Sequence, residues 1–285
     1  MYIKFFSNYD TPEGLLKRFR ANYAINDQDL SFTIGDDYDY AVVFNGTHEL
    51  ISPTARVITV VQEPSTSDIF RDARFLTGSD YLLIHDARAF EEKLDLRLGG
   101  EVIECPTYSF YHDPVEHSFF HYAGGARKLK KLSIIVSYPN KPLAVNEKRL
   151  AFLNQLLGSD LDIDIYGWNM TREDRRSMGP LDYKFNGLIP YEYSIVMECA
   201  EEHNYITDNF IDCILCNTIP IYHGAPNVND VYDERYIKTI NLESASVIND
   251  IKEIIAAPAP LASLNQSIYL DQFNLYNKLK EIILR

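Results

Sequence analysis

The sequence predicts an α/β protein built from two Rossmann-like halves. Short apolar runs rich in β-branched and aromatic residues recur along the chain, and helical patterns fall between them. A basic, glycine-containing stretch, Gly124–Lys131, splits this alternation into two series and marks a domain boundary. At 285 residues there is room for two ordinary domains, each with its own core. An apolar content of 46% and a charged content of 24% are those of a soluble globular chain.

The first half opens on the strand run Tyr2–Phe6. A helix follows, with Thr11-Pro12-Glu13 as its start signal and Leu15, Leu16 and Phe19 on one apolar face. Tyr40–Phe44, Val57–Val61, Tyr81–Ile84 and Glu101–Cys105 then read as strands, and strands separated by helices suggest a parallel sheet. The stretch from Tyr108 to Gly125 is aromatic and shows no period.

Beyond the boundary, Leu132–Val136 reads as a strand, Glu147–Leu157 as a helix and Leu161–Tyr166 as a strand, followed by a polar loop, Gly167–Pro180. Tyr236–Leu242 adds a strand and Ser246–Ala256 a helix. After the break at Pro258 and Pro260, Leu261–Leu284 forms one long amphipathic helix or two. The expected division is 1–125, 126–260 and a C-terminal helical segment, 261–285.

The net charge of −14 argues against a nucleic-acid binder, so an anionic ligand must be held by local cations or helix ends. Four cysteines give no disulfide framework and fit free thiols in a reducing compartment. Cys213 and Cys216 mimic a CxxC pair but fall inside a helical pattern, where core packing explains them. No apolar run reaches a transmembrane length, and the N-terminus has no signal-peptide layout.

One continuous block, Tyr183 to Val228, reads as a chemical unit: YKFNGLIPYEYSIVMECAEEHNYITDNFIDCILCNTIPIYHGAPNV. The strand Tyr193–Met197 ends in Glu198. Thr207 and Asp208 supply an N-cap and a first-turn acid for a helix to about Cys216. A second strand, Ile219–Tyr222, stops at His223-Gly224. Such β-α-β units bind ligands at the carboxyl ends of their strands.

This block resembles the donor-sugar motif of the α-1,3-fucosyltransferases, YKF–FEN–YVTEK–TIPIYWG–P–V. The resemblance implies a GT-B fold, with two Rossmann-like domains facing each other across a cleft: 1–125 for the acceptor and 126–260 for the nucleotide sugar. It also implies inverting, metal-independent transfer of a sugar, fucose by family default, from GDP-fucose to a hydroxyl of an acceptor glycan, with no cofactor. Family members with a membrane anchor differ from this chain, which fits a cytoplasmic enzyme of bacterial or viral type.

Residue by residue, Arg149 at the start of a helix resembles the arginine that contacts the donor diphosphate, and Lys184 belongs to the YKF element. Glu198 matches the carboxylate of FEN, while Cys199 replaces its asparagine. Tyr205, Thr207 and Asp208 match Y, T and E of YVTEK, and Asn209 stands where that motif has its lysine. Losing the lysine removes stabilisation of charge on the leaving diphosphate. Arg172, Arg175 and Arg176 are a reserve of charge in a loop that otherwise reads as solvated.

Glu63 follows the strand Val57–Val61 as Gln62-Glu63-Pro64, where a parallel strand delivers residues to a ligand. The resemblance makes it the general base; an acid in a turn before proline is the alternative. Asp160, Asp162 and Asp164 alternate along a predicted strand and read as its polar face, with no metal site expected. His112, His117 and His121 show no zinc spacing and no helix, which leaves acceptor contacts or surface histidines. Two other functions stay open: transfer of a different GDP- or UDP-linked pentose or hexose, and an inactive glycan-binding homologue.

Overall fold

A computed structural model describes residues 1–23, 25, 29–108, 116–136, 147–167, 174–257 and 266–285. The chain divides into two compact units. Unit 1 comprises Met1–His117, Glu202–Asp208 and Ser267–Arg285; unit 2 comprises Ser118–Glu201 and Asn209–Gln266.

In unit 1 the strands are β1 (Tyr2–Ser7), β2 (Ser31–Phe32), β3 (Tyr40–Phe44), β4 (Arg56–Val60), β5 (Tyr81–Ile84) and β6 (Glu101–Glu104). They form one sheet in the order β2-β1-β3-β4-β5-β6, with every pairing parallel. The order reverses direction at β1/β3, as in flavodoxin-like sheets. All five residues of β3 are buried, as a strand covered on both faces requires. The helices are α1 (Pro12–Asn22), α2 (Arg74–Gly78) and α3 (Ala87–Leu94).

The Thr11 Oγ1 accepts from Gly14 N at 3.1 Å and Pro12 fills the first turn of α1. Leu15 and Phe19 then reach the sheet, and the Phe19 ring meets Phe5 edge-on at 4.8 Å. The C-terminal helix, Leu275–Ile283, buries Leu275, Leu279 and Ile282 in this same core. The last residues are therefore part of unit 1 and not a separate segment. A π-helical turn at Ile268–Gln272 precedes that helix, and residues 258–265 lie outside the described residues.

Unit 2 holds α4 (His117–Ala123, apart from His117), β7 (Lys130–Ile135), α5 (Glu147–Leu157), β8 (Asp164–Tyr166) and β9 (Ser177–Gly179). These are followed by β10 (Tyr191–Met197), α6 (Asp208–Leu215, from Asn209 onward), β11 (Ile219–His223), α7 (Val228–Val231), β12 (Lys238–Thr239) and α8 (Val247–Ala256). The sheet runs β12-β11-β10-β7-β8-β9, again parallel throughout. Counted within the unit this is the Rossmann order 3-2-1-4-5-6 read in reverse, with its switch point between β7 and β10.

Several local expectations change. The aromatic stretch before Gly125 contains α4, a seven-residue helix too short to display a period. Its Phe119 and Phe120 stack on Phe185 at 5.4 and 5.7 Å, which draws it into unit 2. The expected strand at Leu161–Tyr166 shortens to β8. Leu161 and Ile163 are buried by packing without joining the ladder. Asp160, Asp162 and Asp164 thus do not share one strand face. Asp160 pairs with Lys252, and Asp164 accepts from Lys130 at 2.7 Å and from the Tyr191 hydroxyl at 2.5 Å.

In the basic boundary stretch, Lys128 acts as a staple. Its Nζ donates to Ile189 O at 2.9 Å, Cys216 O at 2.7 Å and Thr218 Oγ1 at 2.9 Å. No described helix is long and apolar enough to cross a membrane.

Candidate functional site

The carboxyl ends of β7 and β10 open onto a cavity of about 420 Å³ in unit 2. A switch point leaves such an opening because the helices after its two strands pack on opposite faces of the sheet. The helices there are α5 and α6, and both contribute to the lining. Arg149 and Leu153 come from α5, Asn209 and Cys213 from α6, and Lys184 from the 3₁₀ turn before β10. Three residues named from the sequence, Arg149, Lys184 and Asn209, therefore meet in one cavity.

The charge in this cavity is partly compensated. Lys184 Nζ lies 2.6 Å from Asp212 Oδ2, and Asp212 is only 2% exposed, so a buried carboxylate holds the ammonium. Arg149 Nη1 donates to Cys199 Sγ at 3.2 Å, so the cysteine that departs from FEN touches the arginine. The adjacent Lys148 is committed to Glu201 and Glu243 at 2.7 and 3.0 Å. Cys213 is buried, and that burial pushes its thiol up to about 12, so neither redox nor metal chemistry is prompted there. Among the described residues no cluster of three or more His, Cys, Asp or Glu is arranged to hold a metal ion.

Glu198 follows β10 and is buried; its N–H donates to His223 O at 2.9 Å. Gly224 is needed beside it, because a Cβ there would stand 2.5 Å from Glu198 Cγ and 2.4 Å from the Tyr222 hydroxyl. Of the loop arginines, Arg176 donates to Leu156 O, Leu157 O, Ser159 O and Leu161 O and pairs with Asp174, so it closes the end of α5. Arg175 is exposed, and Arg172 lies outside the described residues. His117 and His121 do share a helix, α4, one turn apart, contrary to the aperiodic reading; His112 lies outside the described residues.

Glu63, Tyr205, Thr207 and Asp208 belong to unit 1. Glu63 stands just past β4, and its position is set by a residue the sequence did not single out. Asn45, buried after β3 with φ 60°, accepts through Oδ1 from Gln62 N at 2.6 Å and from Glu63 N at 3.2 Å. Asparagine tolerates this left-handed backbone, which turns its amide toward the β4 end. Gln62 is pinned further: its Nε2 donates to Tyr108 O at 2.6 Å and its Oε1 accepts from the Tyr9 hydroxyl at 3.0 Å. Glu63 is open to solvent, yet desolvation by surrounding protein, and then the Asp208 carboxylate, raise its pKa above the ordinary value.

Glu202, also unremarked in the sequence, anchors the segment that carries Tyr205, Thr207 and Asp208. Its carboxylate accepts from Ser65 N at 3.0 Å, Ser65 Oγ at 2.8 Å and His85 Nε2 at 2.7 Å. Burial pushes this carboxyl up, but the bonds from His85 and Ser65 outweigh it and hold the pKa below the ordinary value. Asn204 Nδ2 donates to His85 O at 3.1 Å, Tyr205 packs on the His85 ring at 5.0 Å, and Thr107 Oγ1 donates to Ile206 O. Thr207 is buried immediately before α6, and Asp208 is that helix's first residue. The only sequence signal for Glu202 was its place in a polar loop ahead of the YITD element.

No family model matches the chain. A fucosyltransferase-like protein from Arabidopsis thaliana is 28% identical over 115 residues, 39% of this chain, and the matched stretch spans 21% of that relative's length. Crystal structures of an alpha1,3-fucosyltransferase superpose with TM-score 0.54 at 16% identity, covering 99% of this chain and 88% of that one. The same score and identity hold for a complex with GDP, over 98% and 89% of the two chains. A complex with GDP-fucose gives TM-score 0.52 at 15% identity over 98% and 90%. The likeness read in one block of sequence thus extends to the fold of the chain, which is α/β with two Rossmann-like units, a GT-B fold similar to that of the alpha1,3-fucosyltransferase structures.

Proposed function

We propose that the protein is an inverting, metal-independent glycosyltransferase that moves a sugar from a nucleotide diphosphate donor to a hydroxyl of an acceptor glycan. The observation that carries this reading is the cationic cavity at the β7/β10 switch point, lined by Arg149, Lys184 and Asn209. Arg149 offers a guanidinium fork for a diphosphate, and Lys184 adds a point charge. Both act on charge that grows as the leaving group departs. Glu63 takes the proton from the acceptor hydroxyl as its oxygen attacks the anomeric carbon. The C–O bond to the diphosphate breaks, and the configuration inverts. A carboxylate whose pKa is raised is a better base at neutral pH than an unshifted one.

GDP-fucose is the donor the likeness favours, since the structurally similar proteins include complexes with GDP and GDP-fucose. A second reading, transfer of another sugar from GDP or UDP, is favoured by Asn209 in place of a lysine and by Asp212 neutralising Lys184. Calorimetry with GDP-fucose and a panel of other GDP- and UDP-sugars separates the two. The expected result is binding of GDP-linked sugars that is weakened in Arg149→Ala. Absence of nucleotide-sugar binding, or binding indifferent to Arg149, would overturn the transferase reading.

A further inference from the structure

Unit 1 has its own switch point, between β1 and β3, and that is where a parallel sheet offers a ligand crevice. Two residues past β1, after Asn8, stands Tyr9. Its residue is 50% exposed, so the core does not require the ring. The ring is nevertheless fixed. Its hydroxyl donates to Gln62 Oε1 at 3.0 Å, and the Arg18 guanidinium, itself paired with Asp10, sits 5.9 Å from the ring centroid. Gln62 is the residue before Glu63, and both take backbone direction from Asn45. An exposed, immobilised aromatic ring beside a carboxylate is suited to a neutral polyhydroxylated ligand. The C–H bonds of a pyranose pack on the negative face of the ring, while its hydroxyls bond to amides and carboxylates.

We propose that the half-exposed Tyr9 ring is part of an acceptor saccharide subsite at the β1/β3 switch point, with Gln62 and Glu63 bordering it. This rests on the reading of Glu63 as the base. The immobilised ring loses little conformational freedom on binding, which favours a sugar landing in one orientation.

The test presents the full chain, saturated with GDP, to a printed array of oligosaccharides, comparing wild type with Tyr9→Ala, Tyr9→Phe and Tyr9→Trp. Array binding is expected to fall about tenfold or more in Tyr9→Ala and by much less in Tyr9→Phe and Tyr9→Trp, which keep a ring face and lose only the bond to Gln62. GDP affinity and Tm stay at wild-type values in all three. Retained binding in Tyr9→Ala overturns the subsite, as does a wild-type protein that binds GDP and no glycan. Equal losses in Tyr9→Phe and Tyr9→Ala also overturn it, because they assign the effect to the hydroxyl bond and not to the ring face. By contrast, GDP failing to bind, or Glu63→Gln retaining full transfer, strikes the transferase reading and leaves the subsite to be judged by array binding alone.

Discussion

In unit 2 the strand order turns at β7/β10, and the polar side chains delivered there are an arginine, a lysine and an amide. In unit 1 it turns at β1/β3, and the neighbouring strand ends deliver a tyrosine, two amides and a carboxylate. Both sheets are six-stranded and wholly parallel, so the strand order gives each unit a switch point. What differs is the few residues that follow each strand. The contrast teaches that the net charge of −14 says little about either switch point: unit 2 gathers an arginine and a lysine and neutralises the lysine in part with Asp212, while unit 1 presents amides and one carboxylate. On the proposed reading one opening holds a diphosphate and the other a neutral glycan.

The comparison breaks most sharply if one substitution disables both openings. Glu63→Gln is expected to lower the transfer rate about 10²- to 10⁴-fold while leaving GDP affinity unchanged, measured by steady-state assay and calorimetry. It should also raise Tm slightly at neutral pH. The folded pKa of Glu63 lies above its unfolded value, so stability is lost as pH rises from the unfolded to the folded pKa and stays lost above it, and glutamine removes that penalty. Below the unfolded pKa the gain vanishes. A parallel loss of GDP binding would show that the two openings are not chemically separate.

Next in size is the staple of unit 2. Lys128→Met leaves Ile189 O, Cys216 O and Thr218 Oγ1 without their shared donor, and is expected to destabilise the fold by about 2–4 kcal/mol in denaturant titrations. A cost well under 1 kcal/mol would mean that water replaces the ammonium without penalty. A smaller effect, several-fold at most, is expected from Asp212→Asn. Removing the buried negative charge frees Lys184 for the ligand, so GDP should bind more tightly and with steeper salt dependence. Weaker binding would instead show that the ion pair holds Lys184 in place.

Much of the scaffold was legible before the structure. The limits of β3, β5 and α5 follow directly from apolar runs and a clean helical period. The two-residue strands β2 and β12 were not, since pairing at a sheet edge leaves almost no pattern in so few residues. In the site, the block from Tyr183 to Val228 drew attention to α6 and its approaches because a strand, a helix start and a second strand follow in order. Asn45, Asp212 and Glu202 leave no local sequence signal, for a common reason. Each acts through a partner far away in sequence: Glu63 for Asn45, Lys184 for Asp212, and Ser65 with His85 for Glu202. Local pattern gives the element but not the pairing. Asp212 is the plainest case, an acid on the buried face of an apolar helix that pattern alone assigns to the core.

The finest distinction concerns how unit 1 tunes its carboxylate. Glu63 is raised first by desolvation and second by Asp208, and Asp208 is held by a segment that Glu202 ties to Ser65 and His85. A base must be ionised to work, so the raised pKa moves the acid limb of the kcat/KM profile to higher pH. Asp208→Asn removes the second contribution and leaves the first, so the limb should move to lower pH while remaining above that of an unshifted glutamate. Glu202→Gln should move it the same way if the anchor is what keeps Asp208 near Glu63. An acid limb that stays in place in both variants would assign the shift to desolvation alone. It would also reduce the Glu202 network to a structural tie.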